Sequence, residues 1–340
     1  MVITWQRRHG RHDLPWQATR DPYRIWVSEI MLQQTQVGAV MGYFQRFMDV
    51  FPDVGALARA SEDDVLRLWS GSGYYARARN MHKAARRIVE GHAGRFPRTA
   101  REIEELPGIG RSTAAAIAAF AFGERAAILD GNVKRVLARC FGVEGFPGTP
   151  SVEARLWELA AGLLPTGRRP AAIETYTQGL MDLGATVCTR AKPACAACPV
   201  AAACVARTTN RVAEFPAPRP KKEHPTRKAT WLVLRHRKEV LLERRPSSGI
   251  WGGLWAFPEF SGTDLAQYCR SEYGCVLSGH RSLPAFAHGF THFRLEVSPL
   301  VCDVSKIVAR AESSGRIWST IEDAGGAAVP TPVRKLLELL

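Results

Sequence analysis

About a third of the way along, the chain reads Leu106-Pro107-Gly108-Ile109-Gly110-Arg111-Ser112-Thr113. The two glycines allow a tight backbone turn and a close approach to a partner. The Ala-rich segment from Ser112 to Phe122 predicts a helix whose first N–H groups suit a phosphate. These features predict a helix-hairpin-helix motif, which grips a nucleic-acid backbone without reading its sequence. An ordinary turn between two helices is the alternative.

The charge of the whole chain agrees with a nucleic-acid partner. Its 340 residues include 46 Lys and Arg against 32 Asp and Glu, a formal net charge of +14. Such an excess favours a polyanion, most simply nucleic acid. The apolar stretch 114–122 is far shorter than the ~20 residues of a membrane span. The N-terminus also lacks an apolar signal core, so we expect a cytoplasmic protein with no membrane partner.

Eight cysteines divide into a compact quartet and four scattered residues. The quartet consists of Cys188, Cys195, Cys198 and Cys204. In a reducing compartment a quartet this tight indicates a metal site rather than disulfides. Zinc sites usually divide into two C-x2-C pairs, whereas four thiolates in one loop suit a [4Fe–4S] cube. The scattered cysteines, which we expect to be small buried side chains, are Cys140, Cys269, Cys275 and Cys302.

One acidic residue lies on an apolar helical face. At helical spacing Glu29 shares a face with Ile25, Trp26 and Leu32. Burial would raise its pKa and make it a general acid near neutral pH. A surface glutamate at the edge of that face is the alternative.

A second acidic residue follows the hairpin motif. Asp130 predicts the N-cap of a helix over residues 132–139, and it could also point into a cleft beside the hairpin. The neighbouring Lys134 and Arg135 could hold phosphates.

Residues 14–205 predict a mainly helical region, and the amino-acid composition of the chain changes after it. Residues 207–228 are rich in proline and basic side chains, which indicates an extended linker. Strand-like patterns follow, with a hairpin predicted over residues 231–242 and a closing helix over residues 331–340. Residues 229–340 therefore predict a separate α+β domain.

Several of these segments together resemble a known superfamily. The cysteine loop, the Leu106–Gly110 turn and Asp130 resemble the helix-hairpin-helix DNA glycosylases with an iron–sulfur cluster. Within it, Ser28-Glu-Ile-Met-Leu-Gln-Gln-Thr-Gln-Val37 and Gly71-Ser-Gly-Tyr-Tyr-Ala-Arg-Ala-Arg-Asn80 resemble the MutY family of adenine DNA glycosylases. Two C-terminal segments that also resemble that family are Arg245–Trp255 and Phe290–Phe293.

The resemblance implies a domain arrangement. It implies a mainly α N-terminal helix-hairpin-helix glycosylase fold over residues 1–207, which includes an iron–sulfur cluster loop at 188–204. A basic, Pro-rich linker at 208–228 would lead to a C-terminal α+β Nudix-like domain at 229–340. The acidic signature of Nudix hydrolases is absent from this chain. We therefore expect the C-terminal domain to recognise a base and not to hydrolyse a nucleotide.

The implied activity is excision of adenine mispaired with 8-oxoguanine, or more slowly with G, in double-stranded DNA. The enzyme would act as a monomer. Glu29 would protonate adenine at N7, Asp130 would stabilise an oxocarbenium-like sugar and guide water to C1′, and Asn132 would assist the second step. This division of work parallels the two carboxylates of glycoside hydrolysis.

Other roles also follow from the resemblance. Gln34 and Tyr74 would wedge into the duplex near the extruded base, which offsets part of the lost stacking. Trp16 and Gln178 would line the adenine pocket, although core packing is the alternative for both. The turn glycines, Gly108 and Gly110, would approach the DNA backbone.

Three more positions complete the implied sites. Thr291 and His292 would recognise 8-oxoguanine, with Thr291 where the family usually has Ser. Ser112 stands where related strand-cleaving enzymes that resemble endonuclease III have a Schiff-base lysine. We therefore expect hydrolysis that leaves an intact abasic site. The quartet Cys188, Cys195, Cys198 and Cys204 would hold the [4Fe–4S] cluster and order a basic loop against phosphate.

Two other function classes stay open at this point. A bifunctional pyrimidine-lesion glycosylase and lyase is disfavoured by Ser112 and by the long C-terminal domain. A non-catalytic iron–sulfur DNA sensor is disfavoured because it would need neither Glu29 nor Asp130.

Overall fold

The computed structural model describes residues 1–167, 170–220, 224–308 and 315–340. Its residues form two compact units, one of residues 1–59 and 80–221, the other of residues 60–79 and 222–340. The sequence places residues 60–79 inside one continuous catalytic region, whereas they pack within the second unit. The domain limits 1–207, 208–228 and 229–340 stay a prediction. Residues 221–223 of the predicted linker lie outside the described residues.

The N-terminal two thirds of the chain are helical, as the sequence predicts. In chain order the helices are α1 (Val2–His9), α2 (Pro22–Leu32), α3 (Val37–Val50), α4 (Val54–Arg59), α5 (Glu62–Trp69), α6 (Ala76–His92), α7 (Ala100–Glu104), α8 (Arg111–Phe122), α9 (Gly131–Phe141), α10 (Pro150–Gly162), α11 (Pro170–Asp182) and α12 (Val205–Thr208). A π-helical segment, Leu183–Val187, continues α11. Short 3₁₀ turns at Cys195–Ala197 and Ala201–Ala203 carry the cysteine loop.

The predicted hairpin motif is formed by α7, the Leu106–Gly110 turn and α8. Gly108 has φ +79°, and a Cβ added there would lie 2.6 Å from Cβ of Asn80. Only glycine therefore fits this close approach. The N-cap of α8 is Gly110, whose lack of a side-chain cap leaves the first N–H groups available to an anion.

Asp130 is the N-cap of α9, as predicted, because its side chain accepts a hydrogen bond from the backbone N–H of Val133. The helix runs from Gly131 to Phe141 and is longer at both ends than the predicted 132–139. On the neighbouring α8, residues Ala114–Ala119 are all buried. Five of these six residues are alanine, and their small side chains let α8 approach α2, α7 and α11 closely.

The C-terminal part of the second unit contains one mixed sheet. Its strands are β1 (Thr226–His236), β2 (Glu239–Arg244), β3 (Trp255–Ala256), β4 (Glu259–Phe260), β5 (Cys275–Ser282), β6 (Phe286–Gly289), β7 (Arg294–Ile307) and β8 (Arg316–Thr320). The main strand order is β3-β2-β1-β7-β5, and β1 and β7 are parallel. The predicted hairpin is formed by β1 and β2, although its turn is only Arg237-Lys238.

Both faces of this sheet are covered by helices. Alternate residues of β1 divide between two cores, with Trp231 and Val233 on one face and Leu232 and Leu234 on the other. Helix α13 (Leu265–Tyr273) contributes to the second core. Helices α14 (Ile321–Gly326) and α15 (Thr331–Leu337) contribute to the first. The predicted closing helix is therefore present and ends at Leu337.

Candidate active site and cysteine loop

A cavity of about 1260 Å³ opens in the first unit, among residues of α2, α8, α9 and α11. Seven of the predicted site residues line it, although they come from widely separated parts of the sequence. They are Trp16, Glu29, Gln34, Ser112, Asp130, Asn132 and Gln178.

The carboxyl group of Glu29 lies within this cavity. Helix α2 directs it there together with Ile25 and Leu32, the face that the sequence predicts. Burial raises the pKa of Glu29 to about 8, and the negative charge of Asp130 raises it further in the same direction. Among the described residues, neither a hydrogen bond nor a positive charge contributes to this shift, so the cost of burying the ionised carboxyl is not offset. Glu29 is therefore protonated at neutral pH and is not a surface side chain.

Asp130 has a different environment in the same cavity. Its Oδ1 accepts a hydrogen bond from the Val133 backbone N–H at 2.7 Å, and its Oδ2 accepts one from Asn132 Nδ2 at 3.4 Å. Burial raises the pKa of Asp130, while these hydrogen bonds lower it. Hydrogen bonds to the ionised form favour that form. Of the two carboxyl groups, Asp130 is the one whose negative charge the surrounding protein supports.

Asn132 is itself oriented by a side chain that the sequence analysis assigned to another role. Arg135 donates to Asn132 Oδ1 at 2.8 Å, to the Gly184 carbonyl at 2.7 Å and to the Cys188 carbonyl at 2.7 Å. The Arg135 guanidinium therefore has partners within the protein, and a phosphate contact of this side chain stays a prediction. Lys134 also has a protein partner, since it pairs with Glu153 at 2.7 Å.

Trp16 and Gln178 form another part of the cavity wall. Trp16 is 7 % exposed and packs edge-to-face against Phe44, with ring centroids 5.3 Å apart. Gln178 Nε2 donates to Asp182 Oδ1 at 2.9 Å. Trp16 therefore packs in the core and also lines the cavity, and Gln178 lines it while bound to Asp182. Core packing and a place in the pocket wall, the two alternatives from the sequence, are compatible.

Ser112 lies at the start of α8 and faces the same cavity. Its Oγ accepts a hydrogen bond from the backbone N–H of Leu129 at 2.9 Å. This bond fixes the chain just before Asp130. A hydroxyl at this position cannot form a Schiff base.

The two predicted wedge residues share an unusual backbone conformation. Gln34 has φ +57° and Tyr74 has φ +48°, a region that residues with a side chain rarely adopt. Such conformations cluster at functional sites. Tyr74 belongs to the second unit, is half exposed, and has the Arg77 guanidinium 5.3 Å from its ring centre.

The loop that carries Tyr74 is tied to the C-terminal part of the second unit. Ser70 Oγ donates to the Val329 carbonyl at 3.2 Å, and Arg334 donates to Ser70 Oγ at 2.9 Å. Tyr75 Oη also donates to the Val329 carbonyl, at 3.4 Å. These bonds explain why residues 60–79 pack with the sheet unit and not with the helices that precede and follow them in sequence.

Thr291 and His292 form the exposed tip of a β-hairpin. Strands β6 and β7 pair up to Gly289 and Arg294, and the Phe290 backbone N–H then donates to the Phe293 carbonyl at 2.9 Å. The rings of Phe290 and Phe293 stack beneath the tip, with centroids 4.5 Å apart. The tip is therefore held on a rigid base while both predicted recognition residues face outward.

The four predicted cluster ligands line one small cavity, together with the scattered Cys140. All are free thiols. In the part of the chain that the structure describes, no three His, Cys, Asp or Glu side chains are arranged to hold a metal ion. A [4Fe–4S] cube is larger than one ion and takes one thiolate per iron. The four thiols that such a cube would need line the same cavity in this structure.

The surroundings of this cavity also suit a group bound through thiolates. Arg139 is 4 % exposed, and its Nη1 donates to Cys188 Sγ at 3.4 Å. The same guanidinium donates to the carbonyls of Thr189, Arg190 and Phe215. A buried positive charge beside thiolates offsets their negative charge. Sequence reasoning missed Arg139, and it placed Cys140 in the core, whereas Cys269, Cys275 and Cys302 are buried as expected.

Among the described residues, no helix combines the length and the apolar character that crossing a membrane requires.

Comparison with known proteins agrees with both parts of the chain. Residues 27–161 match the profile of the HhH-GPD superfamily base excision DNA repair proteins, and residues 229–339 match that of the NUDIX domain. The adenine DNA glycosylase of Buchnera aphidicola subsp. Acyrthosiphon pisum is 35 % identical, over 99 % of this chain and 96 % of that protein. The human adenine DNA glycosylase is 33 % identical, over 99 % of this chain and 73 % of the human protein.

A solved structure supports the helical fold. The structure of a thermostable thymine-DNA glycosylase superposes with a TM-score of 0.54 at 32 % sequence identity. It covers 61 % of this chain, and the match covers 94 % of that protein.

Proposed function

Because this chain belongs to the adenine DNA glycosylase family, an enzyme family of base excision repair, we propose that it removes adenine opposite 8-oxoguanine. Adenine opposite G would be a slower substrate. The base would leave by hydrolysis of the N-glycosidic bond, which produces an intact abasic site. The observation that supports this best is one cavity that contains two carboxyl groups in contrasting environments, Glu29 and Asp130.

The contrast between these carboxyl groups supports a different role for each. Glu29 holds a proton at neutral pH because burial raises its pKa to about 8. It would donate that proton to adenine N7 and make the base a neutral leaving group. Asp130 keeps its charge with help from the Val133 and Asn132 N–H groups. Its carboxylate would stabilise positive charge on the sugar and orient water at C1′.

The proposal that the base leaves by hydrolysis, without strand cleavage, depends on the serine at position 112. A strand-cleaving glycosylase needs an amine that attacks C1′ and forms a Schiff base. At this position the chain offers a hydroxyl, which is already engaged by the Leu129 N–H. Water is then the nucleophile, and the sugar–phosphate backbone stays intact.

DNA would be held through backbone contacts and wedges. The exposed Gly108 and Gly110 leave the start of α8 open to a phosphate. Gln34 and Tyr74 would fill space left by the extruded adenine, at the cost of a strained backbone. Thr291 and His292, at the tip of the β6–β7 hairpin, would bind the 8-oxoguanine. A monomeric, cytoplasmic enzyme stays a prediction.

The enzymes of this superfamily are typical carriers of a [4Fe–4S] cluster. We propose that Cys188, Cys195, Cys198 and Cys204 bind one here, each through its sulfur to one iron. The cluster would order the loop and supply no step of the hydrolysis, since that reaction moves no electrons. Arg139 would hold the loop on α9 through Cys188 and the carbonyls that follow it.

The decisive experiment is a single-turnover assay on duplexes with one defined mispair. Adenine opposite 8-oxoguanine, adenine opposite G, thymine opposite G and a matched T:A pair are compared, each with and without hot alkali. We expect breakage only after alkali and fastest for adenine opposite 8-oxoguanine. Release of thymine, the base named for the superposed structure, would instead assign a different substrate. Breakage without alkali would contradict the hydrolytic course.

A further inference from the structure

A strained tryptophan lies in the loop between β2 and β3. Trp251 has φ +52°, a conformation that residues with a large side chain rarely adopt. Hydrogen bonds within the loop hold it in this shape. The Trp251 carbonyl accepts from the Leu254 N–H at 3.0 Å, and the Arg245 carbonyl accepts from the Gly253 N–H at 3.1 Å. The loop therefore fixes the direction in which the Trp251 side chain leaves the backbone.

The Trp251 ring packs between the core of the sheet unit and the β6–β7 hairpin. On one side it meets the fully buried Trp231, with ring centroids 5.7 Å apart. On the other side it meets Phe290 at 5.2 Å and His288 at 5.4 Å. Trp251 thus connects a rigid core residue to the base of the hairpin tip.

The rings beyond Trp251 continue to the tip itself. His288 packs against Phe290 at 4.8 Å, and Phe290 stacks on Phe293 at 4.5 Å. Burial and the positive charge of Lys335 lower the pKa of His288, so its ring is uncharged at neutral pH. An uncharged His288 packs among these aromatic rings without the cost of burying a cation.

The two predicted recognition residues depend on this base for their orientation. Thr291 and His292 are exposed, and the Phe290 N–H closes the turn that carries them on the Phe293 carbonyl at 2.9 Å. Side chains that become ordered only when a ligand binds weaken the complex, because their conformational freedom is lost at that moment. Rings that fix the base of the tip restrict this freedom before DNA arrives.

We infer that Trp251 is a positioning residue for recognition of the base opposite adenine. Its ring holds the hairpin tip in one orientation, so that Thr291 and His292 meet 8-oxoguanine already ordered. The inference rests on the proposed function, since it concerns the recognition residues of the same enzyme. Guanine lacks the C8 oxygen and the N7–H of 8-oxoguanine. A loosened tip should therefore slow excision opposite 8-oxoguanine and leave excision opposite G nearly unchanged.

The test measures single-turnover excision of adenine opposite 8-oxoguanine and opposite G by the full-length protein, below saturation. Trp251→Ala removes the ring, and the 8-oxoguanine-to-G rate ratio should fall about 10-fold, as when one or two side chains must be ordered on binding. Trp251→Gly also lacks the ring but adopts φ +52° without strain, and it should lower the ratio equally. It keeps the test valid if Trp251→Ala does not fold. Trp251→Phe retains an aromatic ring and should stay within about 3-fold of wild type.

The matched control is a tryptophan on the other face of the sheet. Trp318 packs against the second core and lies edge-to-face with His236, at 6.4 Å. Trp318→Ala should lower the melting temperature and leave the rate ratio as in wild type. An equal fall of the ratio in Trp318→Ala would overturn the inference, because general loosening of the sheet would then explain it. A wild-type ratio in Trp251→Gly would overturn it as well.

A double variant tests whether Trp251 acts through the tip. If it does, adding Thr291→Ala to Trp251→Gly should lower the ratio by less than the product of the two single effects. Fully multiplicative effects would contradict a shared route.

Amide hydrogen exchange supplies a readout that needs no activity. The Phe290 N–H should exchange faster in Trp251→Gly than in wild type, since the base of the tip opens more often. Unchanged protection would overturn the inference. A wild type that shows no preference for 8-oxoguanine over G would instead contradict the proposed function.

Discussion

Glu29 and Asp130 line one cavity, and the charge of Asp130 adds to the burial that raises the pKa of Glu29 to about 8. The two residues are separated by a hundred positions in sequence, and helices α2 and α9 bring them together. The pair is arranged so that one carboxyl group holds a proton while the other holds a charge. Such a division is what an acid-assisted glycosidic cleavage requires.

The first prediction concerns the pH dependence of excision. Because Glu29 must be protonated, the single-turnover rate should fall as the pH rises through about 8. Glu29→Gln should lower the rate about 10²- to 10⁴-fold, since a general acid is lost. The rate of this variant should also no longer fall as the pH rises through about 8. Duplex binding, measured in parallel, should persist. Excision by this variant at the wild-type rate would exclude Glu29 as the acid.

The same residue predicts an effect on stability. In the unfolded chain Glu29 ionises near pH 4.5, whereas in the folded protein it stays protonated up to about pH 8. Between these values the folded state binds more protons, so the free energy of unfolding falls with rising pH by up to about 1.4 kcal/mol per pH unit. The Glu29→Gln side chain cannot ionise, so the free energy of unfolding of this variant does not show that fall. Denaturant titrations should therefore show the variant to be the more stable protein at pH 8, with the difference closing towards pH 4.5.

Asn132 offers a test of how Asp130 is held. Asn132→Ala removes the amide that donates to Asp130 Oδ2 and accepts from Arg135, but it keeps the Cβ against which Gly184 packs. We expect excision to slow about 10- to 100-fold, the range for a hydrogen bond to a charged group. The melting temperature of the free protein is the control. A loss of rate that merely follows a loss of folded protein would contradict a role in orienting Asp130.

Ser112 predicts the course of the reaction. Ser112→Lys places an amine on the cavity wall beside Asp130 and should introduce strand breakage without alkali. Borohydride should then trap a covalent complex between protein and DNA. Ser112→Ala, which offers no amine, should give neither result. Trapping of the wild type at a comparable level would mean that another amine already performs this chemistry.

Recognition of the damaged base should depend on the hairpin tip. Thr291→Ala removes an exposed hydroxyl without disturbing the Phe290–Phe293 stack beneath it. The preference for 8-oxoguanine over G opposite adenine should fall about 5-fold, the value of one ordinary hydrogen bond. Thr291→Ser should restore it. Equal preference in all three proteins would remove Thr291 from the recognition site.

Much of this arrangement could be predicted from local sequence. The N-cap Asp130, the turn glycines Gly108 and Gly110, and the hairpin of β1 and β2 are set by residues within a few positions of one another. Such short-range signals depend on backbone geometry and on the periodicity of helices and strands. The cysteine quartet belongs to the same class, because its members lie in one loop.

Other features depended on partners far away in sequence. Arg135 donates hydrogen bonds to the carbonyls of Gly184 and Cys188 and to the amide oxygen of Asn132. Residues 60–79 pack with the sheet unit because Ser70 and Tyr75 bind Val329. Neither partner can be read from the spacing of the residues themselves.

The sequence by itself determined the helical and sheet regions and the hairpin turn, since these follow from local propensity and pattern. Its resemblance to a known family pointed to the two carboxylic residues. Only the tertiary structure decided which carboxyl group holds the proton and which groups Gln178 and Arg135 bind. Those properties come from burial and from hydrogen bonds between distant segments. Both free-energy terms exist only after the chain has folded and water has been excluded.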